Sequence, residues 1–280
     1  MRSHLSITQN FLRDPKLVKK LVAKAGLTAE DVVYDIGAGT GIITEVLSDV
    51  CREVVAVEAD TKLAADLHIR LGYRPNVTVH SADFFDMPLP EGPYKVFANI
   101  PFNRSADMVR RLCEAPNPPA AAYLIVQKEF AGKLTLGEKN SQMAVLLAPQ
   151  FEVSVAAKLR REDFRPRPAV DTVLLGIVRR PEPLVTPDLL SLFNDFVVYT
   201  FNAFQPSVAA TLASVLDAKP ITADLKPSQL SLEQWINLFN AALKHRPKLE
   251  ELVKNYQATH EAKHATHTKL NRTRPNKHRS

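Results

Sequence analysis

The chain has 280 residues, 45% of them apolar, and a formal net charge of +6. That is enough apolar material for one large and one small folded domain, and it excludes a chain disordered throughout. Two cysteines without paired spacing, Cys51 and Cys113, exclude a disulfide framework and a zinc site, and no apolar run reaches membrane-span length, so a soluble cytoplasmic protein without metal is expected.

The N-terminal stretch ends in Gln9-Asn10-Phe11-Leu12, and Asp14-Pro15 then reads as a helix cap followed by proline in the first turn. Leu17, Val18, Leu21 and Val22 form an apolar stripe over 16–25, closed by Gly26. Residues 32–36 read as a strand that runs through Asp35 into Gly37, Gly39 and Gly41, with a helix over 41–50. Glycines at every second position let the backbone take positive φ and let a ligand approach, with amides of the following helix facing it. A dinucleotide fingerprint needs its third glycine three residues after the second, and position 42 is Ile. The pattern D-x-G-x-G-x-G, with an acid that can accept from an ammonium or a ribose hydroxyl, fits S-adenosylmethionine better than NAD.

A second strand over 53–58 ends in Glu58, at the place where an acid takes ribose hydroxyls in nucleotide-binding units. A helix over 61–71 and a third strand over 76–80 follow, and then Asp83-Phe84, an acid for an adenine amino group beside a ring that can stack on it. The fourth strand, 94–98, runs into Asn99-Ile100-Pro101-Phe102, and the fifth is 121–126, with two more expected near 151–159 and 170–179. Alternating strands and helices imply an open, largely parallel sheet, whose ligands bind outside the carboxyl ends of the strands. Asp35, Glu58, Asp83 and Asn99 all fall at such ends. From about Pro181 the prolines and helical periods at 188–204, 207–216, 231–243 and 247–257 predict a small helical domain with Trp235, Leu238 and Phe239 in its core.

The chemistry of 99–102 suits an exocyclic amine on a planar base. The Asn99 oxygen and a carbonyl near Ile100 would accept its two N–H groups, Pro101 would stiffen the turn, and Phe102 would stack on the base. A base in a folded RNA must be swung out to reach such a site, and Phe164, set among Arg160, Arg161, Arg165 and Arg167, is a candidate second clamp. The positive charge is uneven: residues 261–280 carry a net +5, so the other 260 carry +1, and residues 1–26 and 158–167 are locally basic. That distribution points to a polyanion, nucleic acid first.

Taken together, Gln9-Asn10-Phe11-Leu12, the 35–41 turn, Glu58, Asp83-Phe84, Asn99-Ile100-Pro101-Phe102 and Phe164-x-Pro-x-Pro-x-Val170 resemble the Erm and KsgA superfamily of ribosomal RNA adenine N6-methyltransferases. The resemblance implies a Rossmann-like class I methyltransferase sheet over 1–180, an all-helical RNA-binding domain over 181–257 and a basic disordered tail over 258–280. It implies a cofactor site of Gln9, Asn10, Leu12, Asp35, Gly37, Gly39, Glu58, Asp83, Phe84 and Asn99. It places the target amine at Asn99, Ile100, Pro101 and Phe102, the flipped adenine against Phe164, and RNA on Arg104, Arg160, Arg161, Arg165 and Arg167. The Erm branch, acting as a monomer on 23S rRNA and conferring macrolide, lincosamide and streptogramin B resistance, is favoured by Ile100 and Phe102. It is favoured too by the absence of an Arg-Arg-Lys cluster around Phe201–Pro206. The alternatives are a KsgA-type small-subunit dimethyltransferase and a non-catalytic rRNA-binding factor of the same fold. One departure, Asn103-Arg104-Ser105-Ala106, stands where the family commonly has an apolar residue and a Ser/Thr pair, and it bears on how tightly the loop after the turn packs.

Overall fold

The computed structural model describes residues 10–203, 205–216 and 224–259. Gln9 and nearly all of the basic tail lie outside the described residues. The elements run β1 (Phe11–Leu12), α1 (Pro15–Lys24), β2 (Val32–Ile36), α2 (Ile42–Ser48), β3 (Glu53–Glu58), α3 (Thr61–Leu71), β4 (Val77–Ser81) and β5 (Lys95–Asn99). They continue α4 (Ser105–Cys113), β6 (Ala121–Gln127), α5 (Lys128–Leu134), α6 (Gln142–Leu147), β7 (Phe151–Leu159), β8 (Phe164–Arg165) and β9 (Thr172–Arg179). The last four are α7 (Pro187–Asn202), α8 (Val208–Leu212), α9 (Leu232–Ala242) and α10 (Arg246–Val253).

Local chemistry sets the ends of these elements. Asp14 accepts from the Lys16 N–H at 2.8 Å and Pro15 opens α1, while Gly26, at φ +62°, leaves it. Asp60 accepts from the Lys62 and Leu63 N–H groups and starts α3. Seven strands form one sheet in the order β4-β3-β2-β5-β6-β9-β7. The first five are parallel; β9 is antiparallel to both β6 and β7. The strand order reverses between β2 and β5, and that reversal is where open α/β sheets hold their ligands. One face of the sheet contributes Val33, Val54, Phe97, Ile125 and Leu174 to a core closed by Val18, Leu21 and Val22 of α1 and by Val46 and Leu47 of α2.

The chain folds as two units: the described residues up to Thr135 with Phe151–Pro181, and Leu136–Gln150 with the described residues from Glu182 onward. The simple boundary expected at 180 therefore misses an excursion. Residues 136–150 leave the sheet before β7 and join the helical unit. Asn140 holds them there: its Nδ2 donates to the Leu230 carbonyl at 2.8 Å and its N–H to the Ser228 carbonyl at 2.7 Å. Val145 of α6 is buried with Phe193, Phe196, Trp235 and Phe239, so the aromatic centre read at Trp235 and Phe239 does form the second core. Phe201 stacks on Trp235 at 5.5 Å and Phe196 meets it edge-on.

Candidate active site

Gly37, Gly39 and Gly41 all take left-handed backbone, at φ +72°, +55° and +80°. A Cβ on Gly39 would lie 2.6 Å from the Phe11 ring, whereas one on Gly37 would meet nothing within 4 Å, because Gly37 borders the cavity. The amides of the glycine turn itself are already occupied. The Gly37 and Ala38 N–H groups donate to the Val57 carbonyl at 2.8 and 3.2 Å, and the Gly39 N–H donates to Glu58 Oε2 at 2.8 Å. The turn is thus tied to the end of β3, and α2 behind it is only seven residues long.

Glu58 is 2% exposed but lines the cavity. Its Oε1 accepts from the Asp60 N–H at 2.8 Å, so a backbone donor fixes each oxygen while each keeps a further acceptor direction. Asp35 behaves differently, and this corrects the expectation that it meets the ligand. It is fully buried and does not border the cavity. Its Oδ2 accepts from the Thr44 hydroxyl at 2.6 Å, and its Oδ1 has no hydrogen-bond partner. Burial pushes the carboxyl up to about 7 against the Thr44 hydrogen bond, and the Glu58 charge adds to the rise. Asp35 braces the first turn of α2 from beneath.

The cavity opens at the carboxyl ends of β2, β3, β4 and β5. Its walls include Gly37, Glu58, Asp83, Phe84, Phe85, Ile100 and Arg104. Asp83 turns back on itself, Oδ1 accepting from the Phe85 N–H at 2.9 Å, while Oδ2 lies 3.8 Å from the Arg104 guanidinium. Phe84 and Phe85 meet edge to face at 6.3 Å. Arg104 lies over the Phe85 ring at 4.1 Å, and Arg111 lies over Phe84 at 5.4 Å while donating to the Met87 carbonyl. Arg104, expected on an RNA surface, is thus part of the cavity wall. Phe85 and Met108 were not singled out in the sequence. The available signal for Met108 was the i, i+4 pair it makes with Leu112 in the amphipathic run over 105–113.

A smaller recess shares Gly37, Ile100 and Pro101 with this cavity and adds Asn10, Phe11, Asn99 and Phe102. Here the Asn99 Nδ2 donates to the Asn10 carbonyl at 2.6 Å. A carbonyl can only accept, so this contact defines which end of the Asn99 amide is the NH2, and leaves Oδ1 as the acceptor. The Pro101 carbonyl accepts from the Arg104 N–H at 2.8 Å, and the chain passes through a short 3-10 turn, Phe102–Arg104, into α4. Ser105 is buried, so the departing loop is packed.

Five expected site residues turn away from this centre or are held elsewhere. Leu12 and Phe164 pair across β1 and β8 and both sit in the core beneath α1, Phe164 at 3% exposure. A ring so placed presents no face to an incoming base, which corrects its assignment as a clamp. Asn10, their neighbour, does reach the recess. The basic segment is largely neutralised: Arg160 pairs with Asp163 at 3.0 Å, Arg161 with Asp171 at 2.8 Å and Arg167 with Glu162 at 2.7 Å. Arg165 is exposed. Among the described residues no group of acids, histidines or cysteines could hold a metal ion, and no helix is long and apolar enough to cross a membrane.

The model of the ribosomal RNA adenine dimethylase family matches residues 1–245. An rRNA methyltransferase of Streptomyces thermotolerans is 34% identical over 241 residues, covering 82% of this chain and 80% of the relative. The ribosomal RNA small subunit methyltransferase A of Chlorobium luteolum is 30% identical over 241 residues, covering 82% of this chain and 86% of its own. The crystal structure of the 23S rRNA methyltransferase ErmE superposes with a TM-score of 0.75 at 30% identity, over 83% of this chain and 99% of that one. The sheet and its helices are thus those of a Rossmann-like class I methyltransferase, with a helical region after it.

Proposed function

The chain belongs to the ribosomal RNA adenine dimethylase family, and from that premise we propose that it transfers one or two methyl groups from S-adenosylmethionine to N6 of a specific adenine in 23S rRNA. Such a mark would confer resistance to macrolide, lincosamide and streptogramin B drugs. The protein would act in the cytoplasm as a monomer, without a metal, on protein-free or early-assembling RNA.

The observation that carries this reading is the Asn99 amide, whose Nδ2 is held by the Asn10 carbonyl at 2.6 Å beside a cavity walled by Glu58 and Asp83. The residues present fit the cofactor. Open space over Gly37 admits a ligand against the backbone, Glu58 offers acceptor positions for ribose hydroxyls, and Asp83 with Phe84 offers an acceptor and an apolar wall for a nucleobase. When bound, the cofactor supplies an electrophilic methyl group on a sulfonium. Everything else falls to the chain.

The Asn99 Oδ1 accepts one N–H of the adenine amine and helps it to pyramidalise, which frees its lone pair. Phe102 stacks on the base, and Ile100 and Pro101 hold the turn that presents Asn99. Held this way, the amine lone pair would be placed to take the methyl group that the bound cofactor would supply, and the amine proton would then pass to water. Asn99 takes no proton; its contribution is placement and a fixed dipole.

A second reading, dimethylation of small-subunit RNA, is supported by the 30% identity to the Chlorobium protein. The discriminating experiment is methyl transfer from labelled S-adenosylmethionine to protein-free 23S rRNA beside 16S rRNA and immature small subunits. Label at one adenine of 23S rRNA is expected. Label confined to the small-subunit substrates overturns that in favour of the second reading. Cofactor binding with no label anywhere overturns both and leaves a non-catalytic RNA-binding factor.

A further inference from the structure

Once ion pairs are drawn, α1 carries a run of exposed unpaired lysines, whereas three of the four arginines over 160–167 are neutralised. Lys16, Lys19, Lys20 and Lys24 are all exposed, on the side of the helix opposite buried Val18, Leu21 and Val22, and exposed Arg13 stands just before the helix. None of the five makes an ion pair with a described residue, whereas Arg160, Arg161 and Arg167 each have an acid within 3.0 Å. There is no acid in the first turn of α1, and Asp14 is occupied in capping the Lys16 N–H. Lys16 and Lys20, and Lys20 and Lys24, are like-charge neighbours one turn apart, an arrangement that disfavours an isolated helix. That exposed, unpaired basic face is open to an external anion.

We propose that this face of α1 is a track for the phosphate backbone of the substrate RNA, leading the strand toward the Asn99 turn. The proposal rests on the reading of the substrate as ribosomal RNA. Its link to the site is covalent and short: Asn10, whose carbonyl orients Asn99, is followed by β1 and then by Arg13 and α1. From Lys16 to Lys24 the helix rises about 12 Å, room for several phosphates of one strand. The contacts are with charge alone, so they position RNA without reading its sequence. An anionic membrane is disfavoured as the occupant, because the apolar side of α1 is already buried in the core and none is left to insert.

The test uses the full chain and a protein-free 23S rRNA transcript. The variant carries Lys16→Gln, Lys19→Gln, Lys20→Gln and Lys24→Gln; a control carries Arg160→Gln, Arg161→Gln and Arg167→Gln. Affinity is measured from about 50 to 200 mM salt, beside cofactor binding and methyl-transfer kinetics. The lysine variant should lose about 3 from the log–log salt slope, at about 0.7–0.9 per phosphate contact. Its defect should fall on KM for RNA and not on kcat, and the four Lys→Arg changes should restore the slope. The arginine control should lose less than about 1. A lysine variant with the wild-type slope and KM overturns the track, and so does a larger loss in the arginine control. A wild-type chain that binds neither 23S nor 16S transcripts overturns both the track and the reading beneath it, an outcome visible before any variant is made.

Discussion

Asp35 and Glu58 stand at the ends of neighbouring parallel strands, and they do opposite things. Glu58 is the last residue of β3; both its oxygens are held by backbone N–H groups and it lines the cavity. Asp35 lies one residue before the end of β2, on the same face as Val33, and points into the layer beneath. Being at the carboxyl end of a strand is therefore not enough. The two acids share a face, since Asp35 pairs with Ala56 and Glu58 lies two residues beyond Ala56; how far along the strand a side chain sits decides whether it meets the core or the cavity. Asn10 and Leu12, two residues apart, divide in the same way, one at the recess and the other in the core.

The largest expected effect breaks that comparison from the core side. Phe164→Ala should cost about 3–5 kcal/mol of stability, read as a loss in chemical denaturation, with methyl-transfer activity per folded molecule nearly kept. Full stability with lost activity would return Phe164 to the base. Asp35 offers a test by pH. Its folded pKa of about 7 lies above the ordinary 3.8, so the folded state holds a proton that the unfolded chain has released. Its contribution is present in full below about pH 4 and is lost as pH rises through 7, up to roughly 4 kcal/mol over that window. Asp35→Asn should flatten this portion, so the melting temperature of the wild type should fall more between pH 5 and pH 8 than that of the variant. Equal falls would place the Asp35 carboxylate among better partners than Thr44.

From the cavity side, Asn99→Ala should lower kcat about 100-fold, close to 3 kcal/mol of barrier, with cofactor affinity within twofold of wild type by calorimetry. Near-normal turnover would remove Asn99 from the chemistry. Glu58→Gln should weaken cofactor binding about tenfold with a smaller change in stability than Phe164→Ala; a larger loss of stability than of affinity would make Glu58 a brace like Asp35.

Much of the sheet was legible because it is written in long periods. The strand at 53–58 and the helix at 61–71 fall where β3 and α3 are. The pair β1–β8 was not, since two residues per strand carry no period, and with it went the burial of Leu12 and Phe164. Asp35 is in phase with fully buried Val33, but Glu58 is equally in phase with fully buried Val54 and Ala56, so alternation alone could not tell the two acids apart. Thr44, nine residues on from Asp35, is its partner, and no local rule links the two. The ion pairs of Arg160, Arg161 and Arg167 were equally hidden, because charge counted along a chain does not reveal which acids come near.

The excursion of residues 136–150 has a consequence for the order in which the protein can be made. Synthesis runs from the N-terminus, so α6 leaves the ribosome before β7 and β9, and Val145 must wait for α7 and α9 to bury it. The helical unit is therefore begun before the sheet is finished and is completed only after it. A nascent chain that stops after Arg179 would hold all seven strands and still display Val145 and its α6 neighbours to solvent. Genetic separation of the two units would need two cuts and a new short joint between Thr135 and Phe151, where a single truncation at 181 would leave an orphaned apolar helix.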